Sequence, residues 1–326
     1  MKSRKVIYIL SLFVGLSTVS CSSKKGCTDP NAINYKEKAK IDDSSCEYAN
    51  TIANLKLIVL LNSIFNESSG LAWIQGNVWT FDDGGGGALI SSIDTAKGNA
   101  NEAITVNGGF NTDWEDISTS DSSIYIGDIG NNNGDRTDLT IYIIHKIDTS
   151  ILNIKGSGKS NKANPEQIYY SYPDQTDFRK NVLNNYDAEA LVYIDNYLYI
   201  FTKRHGDQHT NLYQIPAQPG TYKAVLVGSF DTKGLITGAD VSPDKKSLVL
   251  TGFNPASDKA FLWVIRDLKL PSLLDNKKIM VDLGPRITVG QIEGVTFVNN
   301  DSILVSNEQY KNIPPSLYGL NISAIK

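Results

Sequence analysis

Asn111–Asp138, NTDWEDISTSDSSIYIGDIGNNNGDRTD, decides how this chain reads, because a plainer version of its first half recurs four more times. Aligning the apolar residue behind a short acidic or small pair brings five segments into register: SGLAWIQGNVWTF, EDISTSDSSIYIG, EALVYIDNYLYIF, ADVSPDKKSLVLT and EGVTFVNNDSILV. The anchors are Leu71, Ile117, Leu191, Val241 and Val295. A second apolar run opens seven residues on at Val78, Ile124, Leu198 and Leu248, and eight on at Ile303. Each copy therefore reads as two short strands rich in Val, Ile, Leu and Tyr, joined by a turn of Asp, Asn, Gly or Ser.

Self-similarity at this period marks an array whose units cannot bury their faces alone. The expected fold is all-β, a β-propeller with five blades of about four strands each. The further runs LTIYIIHKI, NLYQI and AFLWVIRDL are expected to supply outer strands. The anchors are spaced 46, 74, 50 and 54 residues apart, and the long interval holds KGSGKSNKANPE and YPDQTDFRKNVLNNYD. These read as an enlarged loop, with a degenerate sixth blade as the alternative. ANLKLIVLLN, Ala53–Asn62, precedes the first copy, and the last copy looks one strand short. That spare strand is expected to close the ring and remove open edges.

The chain has 326 residues, 41% hydrophobic and 20% charged, with 31 basic residues against 35 acidic. A balance of this kind, without a basic stripe, argues against a nucleic-acid partner. Residues 1–20 carry Lys2, Arg4 and Lys5 before an apolar run to Val14, the pattern of a secretory signal peptide. Thr18, Val19 and Ser20 lead into Cys21 in a way that resembles the bacterial lipobox, which implies lipidation of Cys21 and a membrane partner through that lipid. The expected location is the cell envelope, at the outer membrane. With Cys21 so used, Cys27 and Cys46 are left to form a disulfide in an oxidising compartment.

Residues 21–50 are expected to form the lipid tether and a small stapled module, and 51–326 the propeller. GCTDPNAINYKEKAKIDDSSCEY, Gly26–Tyr48, resembles a short module of secreted bacterial proteins with the pattern GCTDP, NY, DD-S-C. So short a segment cannot build a core without a disulfide. Asp29, Asp42 and Asp43 read either as acidic turn residues or as calcium ligands.

In a propeller the start of each first strand and the end of each second gather at one mouth of the central channel. Here those ends carry Asp82 and Asp83; Asp113, Glu115, Asp116 and Asp128; Asp187, Glu189, Lys203, Arg204 and His205; Asp240; and Glu293 and Glu308. In the alignment Glu115, Glu189 and Glu293 share one column, and Asp116 and Asp240 the next. Carboxylates converging on an axis repel one another and hold their protons, so a positive group is expected among them. Calcium suits such a shell, with Asp82, Glu115, Asp128, Glu293 and Glu308 as ligands. Arg136, Lys203 and Arg204 are the alternative counter-charges and the expected grip on an anionic ligand. If the site is catalytic, the candidate residues are Glu115, Glu189 and Glu293.

DWEDI with IYIGDIGNNNGDR, YDAEAL with LYIFTKR, TGADVSPD, and QIEGV with LVSNE resemble the blade motifs of secreted bacterial β-propellers, including those grouped with the esterase-like phytase domain. The resemblance spans most of Ser63–Ile325 and implies a phosphoester-like or other anionic ligand at the mouth. Two functions of different class follow. One is an envelope lipoprotein that binds a ligand or partner protein at its channel mouth. The other is a calcium-dependent hydrolase of a phosphoester or another anionic ester.

Other motif-like stretches have simpler physical readings. Gly156–Ser160, GSGKS, lacks the earlier glycine and the helix of a phosphate loop. His205 and His209 are four apart, but in a loop that spacing makes no shared face for zinc. His145 lies in an apolar strand and reads as structural. No G-x-S-x-G elbow is present. The four glycines Gly84–Gly87 read as a hairpin tip or as backbone that a ligand can approach.

Overall fold

The computed structural model describes residues 24–43, 45–49, 51–145, 160–270 and 273–325. The expected signal peptide and Cys21 lie outside them. The chain divides into two compact units, with the boundary after Cys46. In the first unit Cys27 and Cys46 form the expected disulfide. There Asp29 accepts hydrogen bonds from the backbone and side-chain amides of Asn31, and Asp43 accepts from Ser45 N, as turn residues do.

The second unit is a five-bladed β-propeller. Blade one comprises Ser68–Ile74, Asn77–Asp82, Leu89–Ile93 and Ala100–Val106. Blade two comprises Trp114–Thr119, Ser123–Asp128, Thr140–His145 and Glu166–Ser171. Blade three comprises Ala188–Ile194, Tyr197–Thr202, His209–Pro216 and Val225–Asp231. Leu235–Val241, Ser247–Asn254, Lys259–Arg266 and Lys277–Pro285 make blade four. Gln291–Asn299, Ser302–Glu308 and Ser316–Asn321 begin blade five. Lys56–Leu60 completes it by pairing antiparallel with Ser316–Asn321, so the N-terminal strand closes the ring as its apolar run implied.

There is no sixth blade among the described residues. Part of the long interval is used differently from the loop expected: Ser160–Ala163 pairs parallel with Ala100–Val106 and covers the edge of blade one. Gly220–Lys223 does the same for blade two and Thr51–Ile52 for blade four. Covered edges are what keep a sheet protein from pairing with its copies.

Strand alternation sends one face of each blade to each neighbour, and five apolar clusters fill the five interfaces. Between blades one and two, Phe81 meets Trp114 edge to face at 5.5 Å. Tyr125, Ile168, Leu191 and Tyr213 lie between two and three, Phe201, Ile236 and Phe261 between three and four, and Val281, Val295 and Val305 between four and five. Leu61, Phe65, Leu71 and Leu317 seal five against one, so residues just after the closing strand also lock the ring.

Pairing corrects the alignment in one blade. Val78, Ile124, Leu198 and Ile303 each face the residue two past the anchor, whereas Leu248 faces Val241 itself. The true counterpart of the other anchors is therefore Ala239, because the blade-four turn is two residues longer. Asp240 does not share a column with Asp116.

Candidate functional site

Every inner strand carries a one-residue bulge at the same place. The pairing shifts between Ser68 and Leu71, Trp114 and Asp116, Ala188 and Ala190, Ile236 and Gly238, and Ile292 and Val295. A bulge re-aims the extra side chain. The extra positions are filled by Ser69, Glu115, Glu189, Thr237 and Glu293. The glutamate column of the sequence is thus a column of bulged residues at the channel, and all three glutamates are buried.

The next positions brace the ring. Asp116, fully buried, accepts from Ile117 N and Leu191 N at 2.8 Å each and from Ala239 N at 3.3 Å, tying blade two to three and four. One position beyond the anchor, the same latch recurs. Ser118 accepts from Tyr193 N, Asp240 from Phe297 N, and Thr296 from Trp73 N, each from the following blade. Asp116 and Asp240 are therefore structural acceptors.

The mouth itself is acidic. Asp83, Asp113 and Glu115 each offer a carboxylate oxygen, and these oxygens lie within 4.8 Å of one another. Glycine makes this approach fit. A Cβ on Gly130 would stand 2.2 Å from Glu115 Oε1 and 2.4 Å from Asp113 Oδ2, and one on Gly84 would stand 3.1 Å from Asp113 Oδ1. The glycine run is thus needed, at Gly84, for blade one to approach blade two. Burial, then Glu189 and Asp83, push the Glu115 carboxyl well above the carboxylate range. Burial and Asp83 raise Asp113 to about 6.

Lys203 Nζ sits 2.8 Å from Glu189 Oε1. Burial alone would lower its pKa, but Glu189, Glu293, Asp187 and Glu115 outweigh this and hold the ammonium firmly charged. Glu293 is raised by burial and by Glu308, against the pull of Lys203. Burial and Asp83 take Glu308 to about 7.

Other expected site residues are otherwise engaged. Asp128 accepts from Asp113 N at 3.0 Å and pairs with Arg136 at 2.8 Å. Arg136 also donates to Gly130 O and Asp138. Arg204 is held by Asp207 and Asn211. Asp82 is the exception: raised to about 6 by burial and Glu67, it is not in the trio that its neighbour Asp83 joins, and its buried Oδ1 has no hydrogen-bond partner among the described residues. His205 rests on Asp187 and His209 on Asp207, while His145 bridges Ser123 and Glu166. At the hairpin-turn end of the channel, Trp73, Asp121, Tyr193, Lys245 and Phe297 help line a recess of about 430 Å³.

These features define a five-bladed propeller with a carboxylate-rich mouth counterbalanced by the buried ammonium of Lys203. No protein-family model matches the sequence, and a search of curated proteins returns no match. Solved structures similar to this chain include an exo-beta-1,3-galactanase from Phanerochaete chrysosporium, at 10% identity and a TM-score of 0.48, covering 83% of this chain and 64% of that one. Hydrazine synthase from Kuenenia stuttgartiensis is similar at 10% identity and a TM-score of 0.40, covering 78% and 59%. The chain thus spans under two thirds of the length of each. The fold assignment rests on this chain's own strand pairing.

Proposed function

We propose that this is an envelope lipoprotein, anchored at the outer membrane through Cys21, whose propeller mouth binds calcium and, through that ion, a ligand or partner protein. The observation that carries the reading is the trio Asp83, Asp113 and Glu115, brought from two blades to within 4.8 Å and closed in by Gly84 and Gly130. Carboxylates forced together in a desolvated site are stabilised most by a hard cation. Lys203, Arg136 and Arg204 are each paired with an acid, and only Arg136 Nη2 is buried without a hydrogen-bond partner among their described nitrogens, so an anionic group on the ligand is met chiefly by the ion. Calorimetric titration with calcium chloride tests the reading. One ion per chain is expected, lost in Asp113→Asn; a flat titration overturns it.

A second reading, a calcium-dependent hydrolase, is favoured by one feature. Glu308, with its carboxyl at about 7, shares the mouth with the trio and has the proton affinity of a general base near neutrality. Product release from phosphoester or carboxyl-ester panels, calcium-dependent and abolished in Glu115→Gln, would select this reading. Silent panels with calcium bound leave the binding function.

A further inference from the structure

Blades three and five carry the same mouth hairpin in the same register. In blade three, Ala188 pairs with Thr202, Glu189 fills the bulge, and the next residue, Lys203, reaches Glu189. In blade five, Ile292 pairs with Asn307, Glu293 fills the bulge, and Glu308 stands where Lys203 would be. Where blade three has a carboxylate and an ammonium, blade five has two carboxylates that repel each other and share only the pull of Lys203, which is already hydrogen-bonded to Glu189.

Glu293 is held in a fixed pose. Arg286 lies between the rings of Phe253 and Tyr310, 4.1 Å from each centroid, and donates to Gln291 Oε1 at 2.6 Å. Gln291 then donates from Nε2 to Glu293 Oε1 at 2.7 Å. Glu293 is 6% exposed, and its other oxygen, Oε2, is buried without a hydrogen-bond partner among the described residues. Without a partner on the chain, that acceptor calls for a donor the described residues do not supply, a water or a ligand N–H.

We infer that the ligand of this mouth carries a primary ammonium group, seated on Glu293 Oε2 and Glu308 as Lys203 is seated on Glu189. An ammonium fits better than a second metal ion because it is compact, carries three N–H donors and is satisfied by few acceptors. Calcium takes six to eight oxygens. The inference rests on the mouth being the ligand site and names the chemistry of that ligand.

The test uses the full chain, titrated separately with calcium, with ethanolamine, and with choline, which has the same charge but no N–H. Ethanolamine is expected to bind and choline not to. Glu293→Gln should weaken ethanolamine by on the order of tenfold or more, the loss of a charge-assisted hydrogen bond. Glu308→Lys should supply the ammonium from within, raising the melting temperature and abolishing ethanolamine binding. Equal binding of choline overturns the inference, as does a Glu308→Lys protein that melts lower and still binds ethanolamine. Two calcium ions per chain, falling to one in Glu293→Gln, would assign Glu293 to metal and overturn it too. Calcium binding without ethanolamine binding defeats this inference alone; ethanolamine binding without calcium defeats the calcium reading alone.

Discussion

Lys203 and Glu189, fourteen residues apart on the two strands of one hairpin, form an ion pair of 2.8 Å that is almost wholly removed from water. Burial raises Glu189 to about 8 even against the pull of Lys203, and the same ammonium offsets Glu293, Asp187 and Glu115, so its removal leaves a cluster of acids uncompensated, at a cost of about 3–5 kcal/mol. Lys203→Met is expected to lose stability on that order in urea unfolding. Adding Glu189→Gln should recover part of it, because the cluster with Asp187, Glu115 and Glu293 then holds one acid fewer.

Asp116 is expected to matter to stability far more than to binding. Asp116→Ala leaves three buried N–H groups, those of Ile117, Leu191 and Ala239, without their acceptor. At about 1–3 kcal/mol for each unsatisfied group, the loss should reach about 3 kcal/mol or more. Hydrogen exchange should quicken at the Leu191 and Ala239 amides in particular.

Gly130→Ala should disturb the calcium trio without touching a charge. The added methyl group meets Glu115 and Asp113 and must push them apart. Overpacking of this kind costs about 1–3 kcal/mol. Calorimetry should show weaker calcium binding, with the far-ultraviolet signature of the sheets retained.

The mouth makes calcium-free stability fall as pH rises. Asp82 and Asp113, at about 6, and Glu308, at about 7, bind protons more tightly folded than unfolded, where carboxyls titrate near 4. Their stabilising contribution is complete below about pH 4 and is lost as pH climbs through 6 and 7. Calcium binds the deprotonated trio, Asp113 among it, so its stabilisation should be largest above about pH 7. Melting temperatures across pH, with calcium and with chelator, should diverge upward from about pH 6.

Removing residues 51–60 should open the ring. The outer edge of blade five would then be bare, along with the Thr51–Ile52 cover on blade four. Association through exposed strand edges is expected and is readable by size-exclusion chromatography.

Much of this architecture was legible locally. Alternating apolar residues and turn chemistry marked the inner hairpins at Leu71, Ile117, Leu191 and Val295, because side-chain alternation needs no knowledge of distant chain. The closing role of Lys56–Leu60 was legible for the same reason: an apolar run with no partner matched a blade lacking a strand. The glutamates of blades two, three and five were legible as a column. At Ala239 the register lies two residues from where composition alone puts it, because a longer turn shifts register without changing composition.

What the amino-acid order alone determined is a wheel of five all-β hairpin units with an acidic end and a disulfide between Cys27 and Cys46. Tertiary structure decided which acids meet. It placed Asp83 rather than Asp82 with Asp113 and Glu115, neutralised Asp128 with Arg136, and left Glu293 Oε2 without a donor among the described residues. Local propensity sets strand and turn, but electrostatics depends on separations of a few ångströms between residues far apart along the chain, and those distances exist only once the ring is closed.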